Sequence, residues 1–216
     1  SKHMHLVMAL PNVFFFDTQP AGKMRPLQMD ENGTAVPLDD LDIETFGASQ
    51  YTQLTWRSLI DGWACTSCAR CQDVCPAYAS GKSLNPMQII HDIREYANDH
   101  AQLLLKGEQP EEDIIARFGE EAIWACTTCN ACVDACPVNI EHVPKLTDAR
   151  RHLMMERMEF DEKVEDTVMP LMSTIENLES DSNPYGIPMH ERGDWANGLD
   201  VKVGEAAEYI YFAGCA

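Results

Sequence analysis

Positive charge is what this sequence has least of. Against 35 acidic side chains stand 16 lysines and arginines, a formal net charge of −19. Affinity for phosphates needs clustered Lys and Arg, so a nucleic-acid partner is excluded and charge-driven docking on anionic lipid is disfavoured. The acidic surface suits solubility, or a partner that carries a basic patch. Long apolar runs are scarce too. The N-terminal candidate, ending in Val13-Phe14-Phe15-Phe16, covers 16 residues and is interrupted by Pro11-Asn12. A membrane-spanning helix needs roughly 20. No glycine-rich dinucleotide fingerprint is present, nor a nucleophile–base pair of the kind hydrolysis uses. No secretory leader is read at the N-terminus, so a reducing compartment, most simply the cytoplasm, is expected.

Cysteine is the residue in excess. Eight of the nine sit in two runs of the form Cys-x2-Cys-x2-Cys-x3-Cys-Pro. Trp63 to Pro76 aligns without gaps on Trp124 to Pro137 at an offset of 61, with nine of fourteen positions identical. A duplicated unit with two related sites is the expected architecture. Structural zinc usually takes two Cys pairs separated by a longer loop, and disulfides need an oxidising compartment. A cubane cluster instead needs one thiolate per iron. In runs of this type the first three cysteines wrap one cluster, and the fourth, before proline, ligates the other. The expected sets are therefore Cys65, Cys68, Cys71 and Cys136 for one [4Fe–4S] cluster, and Cys126, Cys129, Cys132 and Cys75 for the second.

The remaining chain reads as mostly helical. Residues 17–50, rich in Pro, Gly and Asp with a turn signal at Glu31-Asn32-Gly33-Thr34, read as a linker or small hairpin. A short helix over 51–63 enters the first run. Asn85-Pro86 caps a helix carrying Ile89, Ile90, Ile93 and Ala97 to about Lys106. Pro110-Glu111-Glu112-Asp113 opens another, which Gly119 ends. A third begins near Val143-Pro144 and presents Leu146, Ala149, Leu153 and Met154. Residues 162–180 read as helix broken at Pro170, and 181–204 as an extended connector. Tyr209-Ile210-Tyr211-Phe212 reads as a buried strand. The 50 residues between Cys75 and Cys126 leave room for two helices, which favours an α-helical ferredoxin over the compact βαββαβ type. His91, His100, His142 and His152 read as surface or capping residues, and the eleven Met as core filler.

Several separated blocks carry a family resemblance: Cys75-Pro76-Ala77, Gly81-Lys82-Ser83-Leu84-Asn85-Pro86, Trp124-Ala125-Cys126-Thr127-Thr128-Cys129, Cys136-Pro137-Val138-Asn139-Ile140-Glu141-His142-Val143 and Asn183-Pro184-Tyr185-Gly186-Ile187-Pro188. Over roughly residues 50–216 the chain resembles the heterodisulfide-reductase-like iron–sulfur oxidoreductases. The resemblance implies an α-helical ferredoxin domain at 51–160, a helix and connector at 161–204, and the first strand of a cysteine-rich domain at 205–216. Gly214-Cys215 would open that domain, with Cys215 either part of a further metal site or a small buried residue, and the chain would be a piece of a longer protein. Ser1-Lys2-His3-Met4-His5 resembles the end of the last membrane helix of nitrate-reductase-gamma-type cytochrome b domains. The resemblance implies a membrane segment at 1–16 and His5 as a haem b ligand; the alternatives are a cloning scar or a surface histidine.

The expected function is electron transfer. The segment would relay single electrons between a cytoplasmic partner, such as electron-transferring flavoprotein, and a haem b and menaquinone site, on the cytoplasmic side of the cell membrane. No residue here is then needed as a catalytic acid or base. Two readings compete: the iron–sulfur subunit of a soluble or peripheral flavin dehydrogenase of glycolate, lactate or glycerol-3-phosphate type, and a purely structural cluster protein.

Overall fold

The computed structural model describes residues 3–18, 22–28, 34–199, 206 and 208–209, and among these the regular structure is helical, without strands. The chain forms two units, Ser1–Asp161 and Glu162–Ala216. The first contains α1 (Met4–Phe14), α2 (Trp56–Ala64), α3 (Arg70–Asp73), α4 (Pro76–Ala79), α5 (Pro86–Asp99), α6 (Ala101–Lys106), α7 (Ile114–Phe118), α8 (Glu120–Ala125), α9 (Ala131–Asp134) and α10 (His142–His152). Its main packings set α1 on α2, α2 on α5, α5 on α7, and α10 on α8.

Local chemistry starts these helices where the sequence places caps. The Asn85 side chain accepts from the N–H groups of Met87 and Gln88 at 3.0 and 3.3 Å, with Pro86 in the first turn. Ile89, Ile90, Ile93 and Tyr96 then fall on one buried face of α5. The expected run to Lys106 is interrupted at His100, whose ring packs on Tyr96 and reaches Glu112 at 3.0 Å, so α6 is separate. The helix expected from Pro110 begins later, at Ile114, because Asp113 is the residue whose carboxylate takes the Ala116 N–H at 2.6 Å. Gly119, at φ +77°, ends it. One apolar cluster joins Leu84, Ile89, Ile93, Ile114, Ile115, Phe118, Ile123, Leu146, Ala149 and Leu153. Each large side chain among them contributes about 1.5–3 kcal/mol relative to exposure. Met154, expected on this face, stays partly exposed.

A buried polar network fixes the two halves of the first unit to one another. Lys145 of α10 is 0 % exposed and donates to Asp61 of α2, also 0 % exposed, at 2.5 Å, and to the Glu141 carbonyl at 2.6 Å. Asn12 of α1 donates to the other Asp61 oxygen and to the Val138 carbonyl, both at 2.9 Å. Arg57 donates to the carbonyls of Phe15 and Asn139 and pairs with Glu141 at 3.4 Å. Pro11 lies inside α1 without ending it. It leaves one carbonyl without its helical donor, that of exposed Val7. Gly47, at φ +71°, lets the preceding loop lie on α10, since a Cβ there would collide with the Asp148 carbonyl.

In the second unit α11 (Glu162–Asp181) runs through Pro170 instead of breaking there. The carbonyl that Pro170 leaves free belongs to exposed Asp166, where water can serve it. Asn183 is fully buried; its side-chain oxygen accepts from the N–H groups of Tyr185 and Ile187, both at 3.0 Å, turning the Asn-Pro-Tyr-Gly segment. A 3-10 helix, Met189–Ala196, occupies part of the expected extended connector. Tyr209 is exposed at a bend, and the rest of the expected strand, with Cys215, lies outside the described residues.

Removing one partner of a buried ion pair strands the other charge, at about 3–5 kcal/mol. Lys145→Met is therefore expected to lower stability by about that amount in anaerobic denaturant melts, whereas Arg117→Met, on the exposed Asp99–Glu112 side, should cost about 1 kcal/mol or less.

Candidate iron–sulfur centre

Each cysteine loop begins where a helix ends. Cys65 leaves α2 and Cys126 leaves α8, both in extended backbone with ψ of 123° and 124°. The chain then turns through left-handed residues at equivalent places: Ser67 (φ 56°) and Ala69 (φ 63°), Thr128 (φ 55°) and Asn130 (φ 61°). Non-glycine residues enter this region at a cost of roughly 1–2 kcal/mol. The conformation aims an N–H at sulfur, Ser67 N to Cys65 Sγ and Thr128 N to Cys126 Sγ, both at 3.4 Å. One short helix follows in each half. The carbonyl of Ala69 takes the N–H of Gln72 and Asp73, as that of Asn130 takes Val133 and Asp134. The sequence repeat is thus a repeat of backbone geometry.

The fourth cysteines break the local pattern. Cys75 caps α4 with Pro76 behind it. It does not stay with its own loop: with Cys126, Cys129 and Cys132 it lines one pocket, together with Leu84, Pro86, His142, Val143 and Leu146. Cys136 packs beside Cys65, Ile90 and Ile140 and accepts from the Ile140 N–H at 3.4 Å. The Cys65 and Cys71 thiols are both raised by burial, and both also feel Cys136 and Cys68 as like-charged neighbours. The structure therefore brings together the two expected sets, Cys65, Cys68, Cys71 with Cys136, and Cys126, Cys129, Cys132 with Cys75. Cys71 and Cys132, one from each set, share an apolar cluster with Val143.

The donor set fits a multi-iron group. Each set offers four thiols around one site. Thiols spread around a larger core are what cubane ligation asks for. The eight described cysteines are free of disulfides. Beside the second set, His142 lines the cavity with its Nδ1 buried and without a hydrogen-bond partner. Burial, then the Lys145 ammonium, pushes its pKa down to about 3, so the ring is neutral.

Several side chains stand where the sequence did not put them. His142 and His152 are buried, not surface residues, because α10 turns both toward the interior. His91 meets the Ser67 hydroxyl at 3.0 Å, beside the first loop. His5 is half-buried on an open cleft with Met4, Trp63, Cys65, Thr66, Ser67, Arg94 and Asn98. Arg150, which no motif marked, donates to the carbonyls of Ile123, Trp124 and Cys126 where α8 ends. Its only signal in the sequence is its position in helical register on α10.

Residues 64–140 match the family described as a 4Fe-4S dicluster domain. Over 100 % of its length the chain is 28 % identical to an EtfAB:quinone oxidoreductase of Syntrophomonas wolfei, of which it covers 32 %. It is 35 % identical over 83 % of its length to a probable membrane-anchored ferredoxin of Chromohalobacter salexigens, covering 29 % of that protein. It is 30 % identical over 75 % of its length to a component of the dihydromethanophenazine:CoB–CoM heterodisulfide reductase of Methanosarcina barkeri, covering 39 % of that component. The chain thus spans about a third of the length of these relatives. No solved structure matches it.

Thiol reactivity follows the thiolate fraction and access. Burial first, then neighbouring thiolates, pushes Cys71 and Cys132 up to about 12, while the Arg70 N–H holds exposed Cys68 below its ordinary value. In cluster-free protein at pH 8, mass spectrometry should find iodoacetamide on Cys68 well before Cys71 or Cys132. Raising the pH toward 12 should close that gap.

Proposed function

Because this chain is a relative of the heterodisulfide-reductase-like iron–sulfur oxidoreductases with a 4Fe-4S dicluster domain, we propose that it relays single electrons through two adjacent [4Fe–4S] clusters within a larger membrane-bound protein. Cys65, Cys68, Cys71 and Cys136 hold the first cluster, and Cys126, Cys129, Cys132 and Cys75 hold the second. When bound, each cluster supplies a one-electron couple. The observation that carries the reading is the crossing of the fourth cysteines, which places each half's last thiol at the other half's loop.

The protein's own work is to hold, bring close and keep dry. Val143 and Met87 pack against Cys71 and Cys132, so apolar side chains line the space between the two sites. The N–H groups of Ser67, Thr128 and Ile140 stabilise negative charge on sulfur. No side chain is needed to move a proton.

The partners we propose are electron-transferring flavoprotein as the cytoplasmic redox partner, and a haem b and menaquinone site in the membrane. A relative named for EtfAB and quinone, and another named as membrane-anchored, support this. Among the described residues no helix is long and apolar enough to cross a membrane. The outer face of α1 nevertheless exposes Leu6, Val7, Leu10 and Phe14, as a segment adjoining apolar surroundings would. His5, the proposed haem ligand, shares its cleft with Cys65, so a haem held there would face the first cluster.

In the complete protein under anaerobic conditions, reduced electron-transferring flavoprotein should bleach the iron–sulfur absorbance and raise a low-temperature EPR signal. His5→Ala should leave that reduction intact and abolish onward reduction of the haem. Clusters that stay oxidised with this donor but accept electrons from another would overturn the partner. A complete protein without haem would overturn the membrane route.

A further inference from the structure

The duplicated fold contains a second repeat that the cysteine alignment does not show. α5 and α10 follow the first and second cysteine runs, and each carries an arginine eight residues beyond its first residue, Arg94 after Pro86 and Arg150 after His142. The loops before the helices differ in length, so these arginines align in helical register and not at the 61-residue offset. Each lies near the first cysteine of one set. Arg150 donates to the Cys126 carbonyl at 2.5 Å, and Arg94 lines the same cleft as Cys65.

The two arginines are held differently. Arg150 is locked: it also donates to the Ile123 carbonyl at 2.6 Å, and its guanidinium lies over the Trp124 ring at 5.3 Å from the centroid. In the first half the matching tryptophan, Trp63, lines the open cleft with Arg94, and no such carbonyl clamp holds Arg94 among the described residues.

We propose that Arg94 and Arg150 are a pair of potential-setting residues, one per cluster, and that the clamped Arg150 acts more strongly than Arg94 on the open cleft. The physical reason is charge. Reduction adds one electron to a site already ringed by thiolates, and a fixed cation beside it favours the reduced form. A guanidinium stays charged at any working pH. Salt and water screen the one in the open cleft and reach the clamped one less. These are positioning roles, since neither side chain is a ligand.

The proposal rests on the two ligand sets, and its test separates the two readings. Iron content and EPR-monitored redox titration are measured on the anaerobically purified protein and on Arg150→Gln, Arg150→Lys and Arg94→Gln. A count of eight irons supports the ligand reading irrespective of the potentials. Arg150→Gln should lower one of the two one-electron waves by about a tenfold change in its equilibrium, roughly 59 mV. Arg94→Gln should lower the other by less, and added salt should shrink that smaller shift. Arg150→Lys should retain most of the wild-type potential. Unmoved waves in both Gln variants, with iron retained, would overturn the proposal, as would both variants lowering the same wave. Should Arg150→Gln lose iron, Arg94→Gln and Arg150→Lys carry the test. An Arg94→Gln midpoint equal to wild type, or an Arg150→Lys wave lowered by the full roughly 59 mV of a tenfold change, would then overturn it.

Discussion

The fold depends on a crossing. Each cysteine loop offers three thiols, and the fourth of each set arrives from the other half, Cys136 beside Cys65 and Cys75 beside Cys126. With the proposed ligand sets neither site is complete from one half, and the packing of α3 on α9 brings the halves together. The Asp61–Lys145 pair contributes to that register from the buried side, tying α2, which delivers Cys65, to α10, which follows Cys136. A charge pair without solvent is a weak source of net stability but a strict condition on geometry, because either partner alone is costly. Site and core therefore constrain one another.

Electrostatics explains why so acidic a chain places its cations as it does. Burial raises these thiols, and their closeness to one another raises them further, to about 12 at Cys71 and Cys132. Directed N–H groups at Cys65, Cys126 and Cys136 oppose that rise. Buried Lys145 and half-buried Arg150 supply fixed positive charge near the sites, while most of the described acidic residues lie on the surface. The net charge of −19 thus says little about the polarity of the site itself.

Much of this was legible in the sequence because it is local. The spacing of cysteines, the final prolines, the Asn85 cap and the buried faces of α5 and α10 are each written within a turn or two of chain. What escaped reading depends on distant partners. His142 stands at the start of its helix and looks like a capping residue, yet the packing of α10 buries it at 1 % exposure. Arg150 resembles any basic residue near a helix C-terminus until α8 ends beside it. Pro11 and Pro170 resemble helix breakers, but each leaves free only a carbonyl that solvent reaches, so the helices continue.

The crossing is open to direct comparison of single-cysteine variants. Cys136→Ala, Cys65→Ala, Cys75→Ala and Cys126→Ala, each reconstituted anaerobically, would be examined by low-temperature EPR for which of the two cluster signals is altered. If the fourth cysteines are exchanged, Cys136→Ala disturbs the same signal as Cys65→Ala, and Cys75→Ala the same as Cys126→Ala. If Cys136→Ala instead disturbs the signal that Cys126→Ala does, each run holds its own cluster and the account is wrong.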